Sequence, residues 1–323
     1  MVSGRSILKF FLALEQAEGQ GARVRRSIGT SSMKNFPPFL MLDHFNVRPE
    51  SGGFPEHPHS GQETITYITQ GALAHEDFTG SVGILNAGDL QFMTAGKAVV
   101  HSEMPVPQKD GSSSVGLQLW VDLPAELKEC EPRYRDLKSH EIPIARPSDK
   151  VEVKVISGES YGVKSVTDLA YTPVVYYHYT VQPGGEFKQN IPADYNAFLY
   201  LMNGSLILND STKIPQYNAV FFNRDGDFIQ GKIPESSNEQ ASFILVAAKV
   251  FNQPIVQYGP FVQLSKEKIQ QKMMSYQYGI NGFERMKTWK TLISNGVDDN
   301  IVKKINEINS KNAKEERVKK DEL

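Results

Sequence analysis

From about residue 6 to about residue 260, apolar positions fall in short runs separated by turn-forming residues. Thr64-Ile65-Thr66-Tyr67-Ile68 and residues 115–121, 174–179 and 242–246 are short runs rich in β-branched and aromatic residues. Such runs read as β-strands. Asn86-Ala87-Gly88-Asp89, Pro183-Gly184-Gly185 and Arg224-Asp225-Gly226-Asp227 punctuate them as turns. Many short strands between Gly- and Pro-containing turns predict an all-β chain of sandwich or barrel type. Residues 7–14 predict the first strand. They are apolar and follow Arg5, as a signal peptide would, but Lys9 interrupts them and no small-residue cleavage site follows. Residues 266–278 predict a helix. From Asn295 on the chain is polar, and Ile301, Ile305 and Ile308 permit one amphipathic helix, the rest being solvated or disordered.

The pattern repeats. Residues 54–73 read FPEHPHSGQETITYITQGAL and residues 187–206 read FKQNIPADYNAFLYLMNGSL. Phe54 meets Phe187, Tyr67 meets Tyr200, Gly71 meets Gly204 and Leu73 meets Leu206. A repeat of this kind fixes architecture, and two copies of one β-barrel fit the length. The linear division it suggests is 1–135, 136–290 and a polar extension 291–323, with the first boundary inside the Pro-rich, charged stretch 131–150.

Composition changes this picture little. A chain with 40% hydrophobic and 22% charged residues is ordinary globular protein. A net charge of −2 offers no field for nucleic acid or an anionic membrane. Arg23, Arg25 and Arg26 alternate with apolar residues and read as one charged strand face. Cys130 is the single cysteine, so no intrachain disulfide forms, and no basic neighbour activates it. No run reaches the ~20 apolar residues that span a bilayer. The last four residues, Lys320-Asp321-Glu322-Leu323, spell an ER-retention signal. Without a targeting segment, and in a tail already rich in Lys and Glu, they are read as coincidence.

The candidate chemistry lies in two short windows, His57-Pro58-His59 and His101-Ser102-Glu103. Residues at i and i+2 on a strand share a face. Two such pairs on neighbouring strands can converge, and three imidazoles with a carboxylate hold a divalent transition metal with positions left open. The repeat leaves the second half without this set, since Asn190, Pro192 and Asn196 stand opposite His57, His59 and Glu63. HxH, then Glu63, Gly71, a turn and His101 follow the order of the two-part cupin motif.

The chain resembles the pirin family, within the cupin superfamily. The resemblance rests on residues 21–29 (GARVRRSIG), 38–43 (PFLMLD), 54–59 (FPEHPH), 74–78 (AHEDF), 93–96 (MTAG), 101–105 (HSEMP) and 116–124 (GLQLWVDLP). It covers about residues 5–285, more loosely in the second half. It implies an all-β bicupin, two jelly-roll barrels facing each other with a few short helices. One iron ion (Fe2+/Fe3+) would sit in the N-terminal barrel on His57, His59, His101 and Glu103, and nitrogen and oxygen donors also admit Mn, Ni, Cu or Co. In most cupins the carboxylate ligand would be Glu63. In pirin-like proteins it is Glu103, which leaves Glu63 as a pocket residue or a solvent-facing strand residue. His75 reads as structural, and His44, His140 and His178 as structural or exposed.

Pirin-like proteins are described as quercetinases. The resemblance therefore implies a quercetin 2,3-dioxygenase that opens a flavonol with O2 and releases CO, with Glu103 or Glu63 taking the substrate proton. Pirins are also described as nuclear co-regulators, and in that alternative the iron is a redox switch for binding transcription-factor complexes. A third option is a cupin whose metal is structural. The expected partners are a flavonol-like small molecule and O2, without direct nucleic acid or membrane contact. The expected state is a monomer in cytoplasm and nucleus rather than the ER lumen.

Overall fold

The computed structural model describes residues 3–321 of the 323-residue chain, with side-chain surroundings described through residue 312 apart from Ser51. The chain forms two compact units. The first holds Gln16–Val24, Asp43–Ser139 and the chain from Gln253 on; the second holds the chain up to Glu15, Arg25–Leu42 and His140–Asn252.

Each unit is built on a seven-stranded and a four-stranded antiparallel sheet. The large sheet formed mainly by the first unit runs in the order Arg133–Leu137, Leu90–Thr94, Gln62–Gln70, Ser114–Asp122, Phe39–Val47, Ala22–Ile28, Glu15–Glu18. That unit's small sheet runs Phe54–His59, Val99–Pro105, Ala72–Asp77, Val82–Asn86. The second unit repeats the plan. Its large sheet is Ile7–Leu12, Asn218–Phe222, Tyr195–Asn203, Ala241–Lys249, Val174–Val181, Val151–Ser157, Ile144–Ser148. Its small sheet is Glu186–Asn190, Phe228–Lys232, Leu206–Leu208, Thr212–Ile214. The repeat seen in the sequence is thus a structural repeat. Gly71 and Gly204 occupy the same turn at φ +69 and +76, and a Cβ there would lie 2.8 Å from the Ser113 carbonyl and 2.3 Å from the Gln240 carbonyl. Only glycine fits such a backbone.

The units do not follow the linear division at residues 135 and 290. The first predicted strand, Ile7–Leu12, pairs with Asn218–Phe222 in the second unit, Phe10 opposite Val220. The equivalent edge of the first unit is filled by Arg133–Leu137 against Leu90–Thr94. The second unit's large sheet therefore takes its edge strand from the far end of the chain, and each pairing covers an edge that would otherwise stay open.

Helix α1, Lys266–Tyr278, forms where the pattern predicts it, with Ser265 capping the Lys268 amide and Gly279 closing it at φ +61. It belongs to the first unit, where Ile269 clusters with Phe78, Val100, Phe261 and Phe283. The polar extension also departs from expectation. Ile293, Val297 and Ile305 are buried with Ala72, Ala74, Met104 and Val106 of the first unit. Helix α2, Asp299–Asp321, carries the predicted stripe, Ile305 fully buried and Ile301 and Ile308 half-buried. Of the terminal Lys320-Asp321-Glu322-Leu323 sequence, Glu322 and Leu323 lie outside the described residues. Among the described residues, no helix is long and apolar enough to cross a membrane.

Candidate metal centre

His57 and His59 lie two residues apart on Phe54–His59 and share a face. The strand Val99–Pro105 runs antiparallel beside it and sets His101 opposite His57 and Val99 opposite His59. The pairing shifts between His101 and Glu103, so Glu103 stands opposite Phe54. One ring nitrogen from each of His57, His59 and His101 lies within 4.8 Å of the others. His59 and His101 are buried, and His57 is half-buried.

All three imidazoles are held neutral. Burial, and then the His101 ring, lowers His57 to about 4. Burial and then His75 lower His101 to about 3, and burial with the other two rings drives His59 well below its ordinary value. A neutral imidazole keeps a lone pair for a metal at neutral pH. The His57 Nδ1 donates to the Pro55 carbonyl at 2.7 Å, which leaves its Nε2 as the donor atom. The His59 Nε2 is fully buried without a hydrogen-bond partner. A buried orphan nitrogen beside two other imidazoles fits a bound cation.

Glu103 adjoins this group, its Oε2 4.0 Å from His101 Nε2. The Gln118 amide donates to both of its oxygens, at 3.2 and 2.9 Å, and the Trp120 indole donates to the Gln118 carbonyl at 3.2 Å. Trp120 also sets its ring edge-on to His59, centroids 5.0 Å apart. Gln118 and Trp120 lie two residues apart on Ser114–Asp122, so one strand face contacts both the carboxylate and an imidazole. No role was assigned to either from the sequence. The available signal was the polar Gln118 inside an apolar run.

Glu63 is placed differently. On its strand Gln62 reaches His59 at 2.8 Å and Thr66 reaches Glu103 at 3.5 Å, so even-numbered residues face the imidazoles. Strand alternation turns Glu63 to the other face, where it accepts from the Thr94 hydroxyl at 2.7 Å. The expectation that it shares the pocket is corrected on this ground. His75 lies opposite Glu103, 3.0 Å from the Gln91 amide and 3.6 Å from Asp136. Tyr134 stacks on it, and burial, then Asp77, pushes the phenol well above its usual range. His178 bonds the Ser242 hydroxyl at 2.8 Å, His44 is half-buried and His140 is exposed. Burial raises the Cys130 thiol, followed by Glu63, so the thiol is not activated.

The second unit keeps the frame and loses the polar interior. Its strand pairings set Leu199 at the place of Thr66, Val220 at Gln91, Leu245 at Gln118 and Ala247 at Trp120. Leu208 replaces His75 and Gly231 replaces Glu103. Apart from Gly231 these residues belong to one apolar core.

Two units of paired antiparallel sheets, one with a three-histidine cluster that could hold a metal ion, define a two-domain cupin. The chain matches the Pirin family model over residues 21–121 and the Pirin C-terminal cupin domain over residues 176–282. It is 43% identical over 302 residues to Pirin of Homo sapiens, covering 91% of this chain and 100% of that protein. It is 44% identical over 287 residues to a Pirin-like protein of Solanum lycopersicum, covering 88% and 96%. A quercetin 2,3-dioxygenase structure from Acinetobacter baumannii is similar, with a TM-score of 0.78, 25% identity and coverage of 86% and 98%. The chain belongs to the pirin family.

Proposed function

We propose that this protein is an iron-dependent dioxygenase of the quercetin 2,3-dioxygenase type, acting on a flavonol-like substrate. The convergence of three neutral imidazoles inside one polar barrel carries the reading, and likeness to a quercetin 2,3-dioxygenase supports the substrate class. His57, His59, His101 and Glu103 would hold the ion. A metal bound there supplies Lewis acidity and open positions for a substrate oxygen and O2.

The chain's own residues do the rest. Glu103 accepts the proton of the flavonol 3-hydroxyl, and the Gln118 amide holds that carboxylate in place before and after the transfer. Trp120, edge-on to His59, forms an apolar wall for an aromatic substrate. Glu63 takes no part, because it faces away from the imidazoles. The products balance as one ring-opened acid and one CO per flavonol and O2 consumed.

The test is simultaneous measurement of O2 uptake and CO release with quercetin on iron-loaded protein. Equal release and uptake, lost in His101→Ala and on chelation, supports the reading. Absence of CO from protein carrying one iron per chain would sink it. Iron-redox-dependent binding of a protein partner without turnover would favour the co-regulator instead.

A further inference from the structure

The small sheet of the first unit has two faces with different burdens. The inner face carries His101 and Glu103. On the outer face, Glu76 and Ser102 are directly paired across neighbouring strands. That pair is flanked by the inner-facing pairs His101 with Asp77 and Glu103 with His75. Residues 291–305 are fastened to this outer pair. The Glu76 carboxylate accepts from the Thr291 hydroxyl at 2.8 Å and the Leu292 amide at 2.6 Å, and the Ser294 and Ser102 hydroxyls lie 3.3 Å apart. Below this anchor Ile293, Val297 and Ile305 pack on Ala72, Ala74, Met104 and Val106.

The equivalent face of the second unit shows that this apolar surface is particular to the metal-bearing barrel. Strand pairing sets Lys213 at the place of Ile84, Lys232 at Met104 and Gln230 at Ser102. Those residues are at least partly exposed. A brace is thus present where a strand bears His101 and Glu103, and where no ligands exist the same face carries Lys213, Lys232 and Gln230 around a half-exposed Ile207. Residues 291–305 also lie beyond the C-terminal cupin match, which ends at residue 282.

We propose that residues 291–305 form a brace that positions His101 and Glu103 from the outside, with Glu76 as the positioning residue. The proposal rests on the reading that the histidine cluster holds a metal. Alternate residues of one strand point to opposite faces, so an outer contact at Ser102 and Met104 fixes the backbone that aims His101 and Glu103. Metal affinity then depends on a docked brace. By linkage, metal binding tightens the brace by the same factor.

Cobalt(II) titration of the full-length protein, followed by its visible spectrum, tests this. Glu76→Leu and Ile305→Asp are expected to weaken cobalt binding at least tenfold and broaden the ligand-field bands. Glu76→Gln, which keeps an acceptor for the Leu292 amide, is expected to recover most of the affinity. Leu245→Ala, a core truncation in the second unit, serves as the stability control and leaves cobalt affinity unchanged. Hydrogen exchange at the Leu292 amide is expected to slow on cobalt loading of the unaltered chain. Unaltered cobalt affinity in folded Glu76→Leu and Ile305→Asp proteins overturns the brace while leaving the metal site standing. If Ile305→Asp does not fold, Leu292 exchange that ignores cobalt overturns it equally. Failure of the unaltered chain to bind cobalt or iron removes the metal reading itself, and the brace with it.

Discussion

The Nε2 atoms of His57 and His101 lie 2.9 Å apart. His57 already donates its Nδ1 proton to Pro55, so its Nε2 presents a lone pair to the other ring. Two ligands at right angles on an ion about 2.1 Å from each are about 3 Å apart. The spacing is that of adjacent coordination sites.

One metal ion per chain is expected, because the second unit has Asn190, Pro192 and Gly231 where the first has His57, His59 and Glu103. Elemental analysis should give a ratio near one. Single replacements of His57, His59 or His101 by Ala should each lower retained metal at least tenfold, with the far-ultraviolet circular dichroism unchanged. A ratio near two would contradict the apolar second interior.

Gln118 is the amide that satisfies the buried Glu103 carboxylate. Gln118→Leu removes the amide that meets both Glu103 oxygens and leaves the carboxylate the Thr66 hydroxyl at 3.5 Å, and stripping a buried group of a donor costs about 1–3 kcal/mol. Urea unfolding of the metal-free protein should show a loss of that size. Turnover of the iron-loaded variant should fall with KM little changed, since the loss is in aiming the carboxylate.

Glu63 and Glu103 separate by the face of the sheet each occupies. Glu103→Gln should remove flavonol turnover. Glu63→Gln, which retains an acceptor for Thr94, should keep turnover within about threefold, a difference below ~1 kcal/mol. Steady-state oxygen consumption checks both, and equal losses would return Glu63 to the pocket.

The metal-free protein should lose stability on acidification. His57 and His101 titrate at about 4 and about 3 in the folded chain, below the ordinary 6.5. Between those values the unfolded chain binds more protons, so stability rises with pH through that window and is fully present above it. Thermal midpoints of chelator-treated protein should therefore fall from about pH 6.5 downward. His101→Phe should flatten the slope between about pH 5 and 6.5, where few carboxylates titrate. An unchanged slope would show that these rings are not buried neutral.

Much of this protein could be read in one dimension. Thr64-Ile65-Thr66-Tyr67-Ile68 announced a strand because β-branched and aromatic side chains suit a pleated backbone. The offset from Phe54 to Phe187 announced two copies of one unit, and the loss of histidines in the second copy located the chemistry. Helix α1 was legible at residues 266–278, and the Ser265 and Gly279 caps explain why its ends fall there.

What tertiary structure alone decided were relations between distant segments. Alternation says that Glu63 and Thr66 point to opposite faces, but only the pairing with neighbouring strands says which face meets Glu103. Gln118 and Trp120 acquire a role only because Ser114–Asp122 lies beside Gln62–Gln70 in a fixed register. Ile7–Leu12 is a strand by its own pattern, yet its partner lies more than two hundred residues away, at Asn218–Phe222. The Ile301, Ile305 and Ile308 stripe shows that something is covered, and the fold shows that it is the outer face of the strand bearing His101 and Glu103. Local periodicity is a property of the backbone and is written in sequence. Register and partner choice are set by which surfaces exclude water together, and they exist only once the chain has folded.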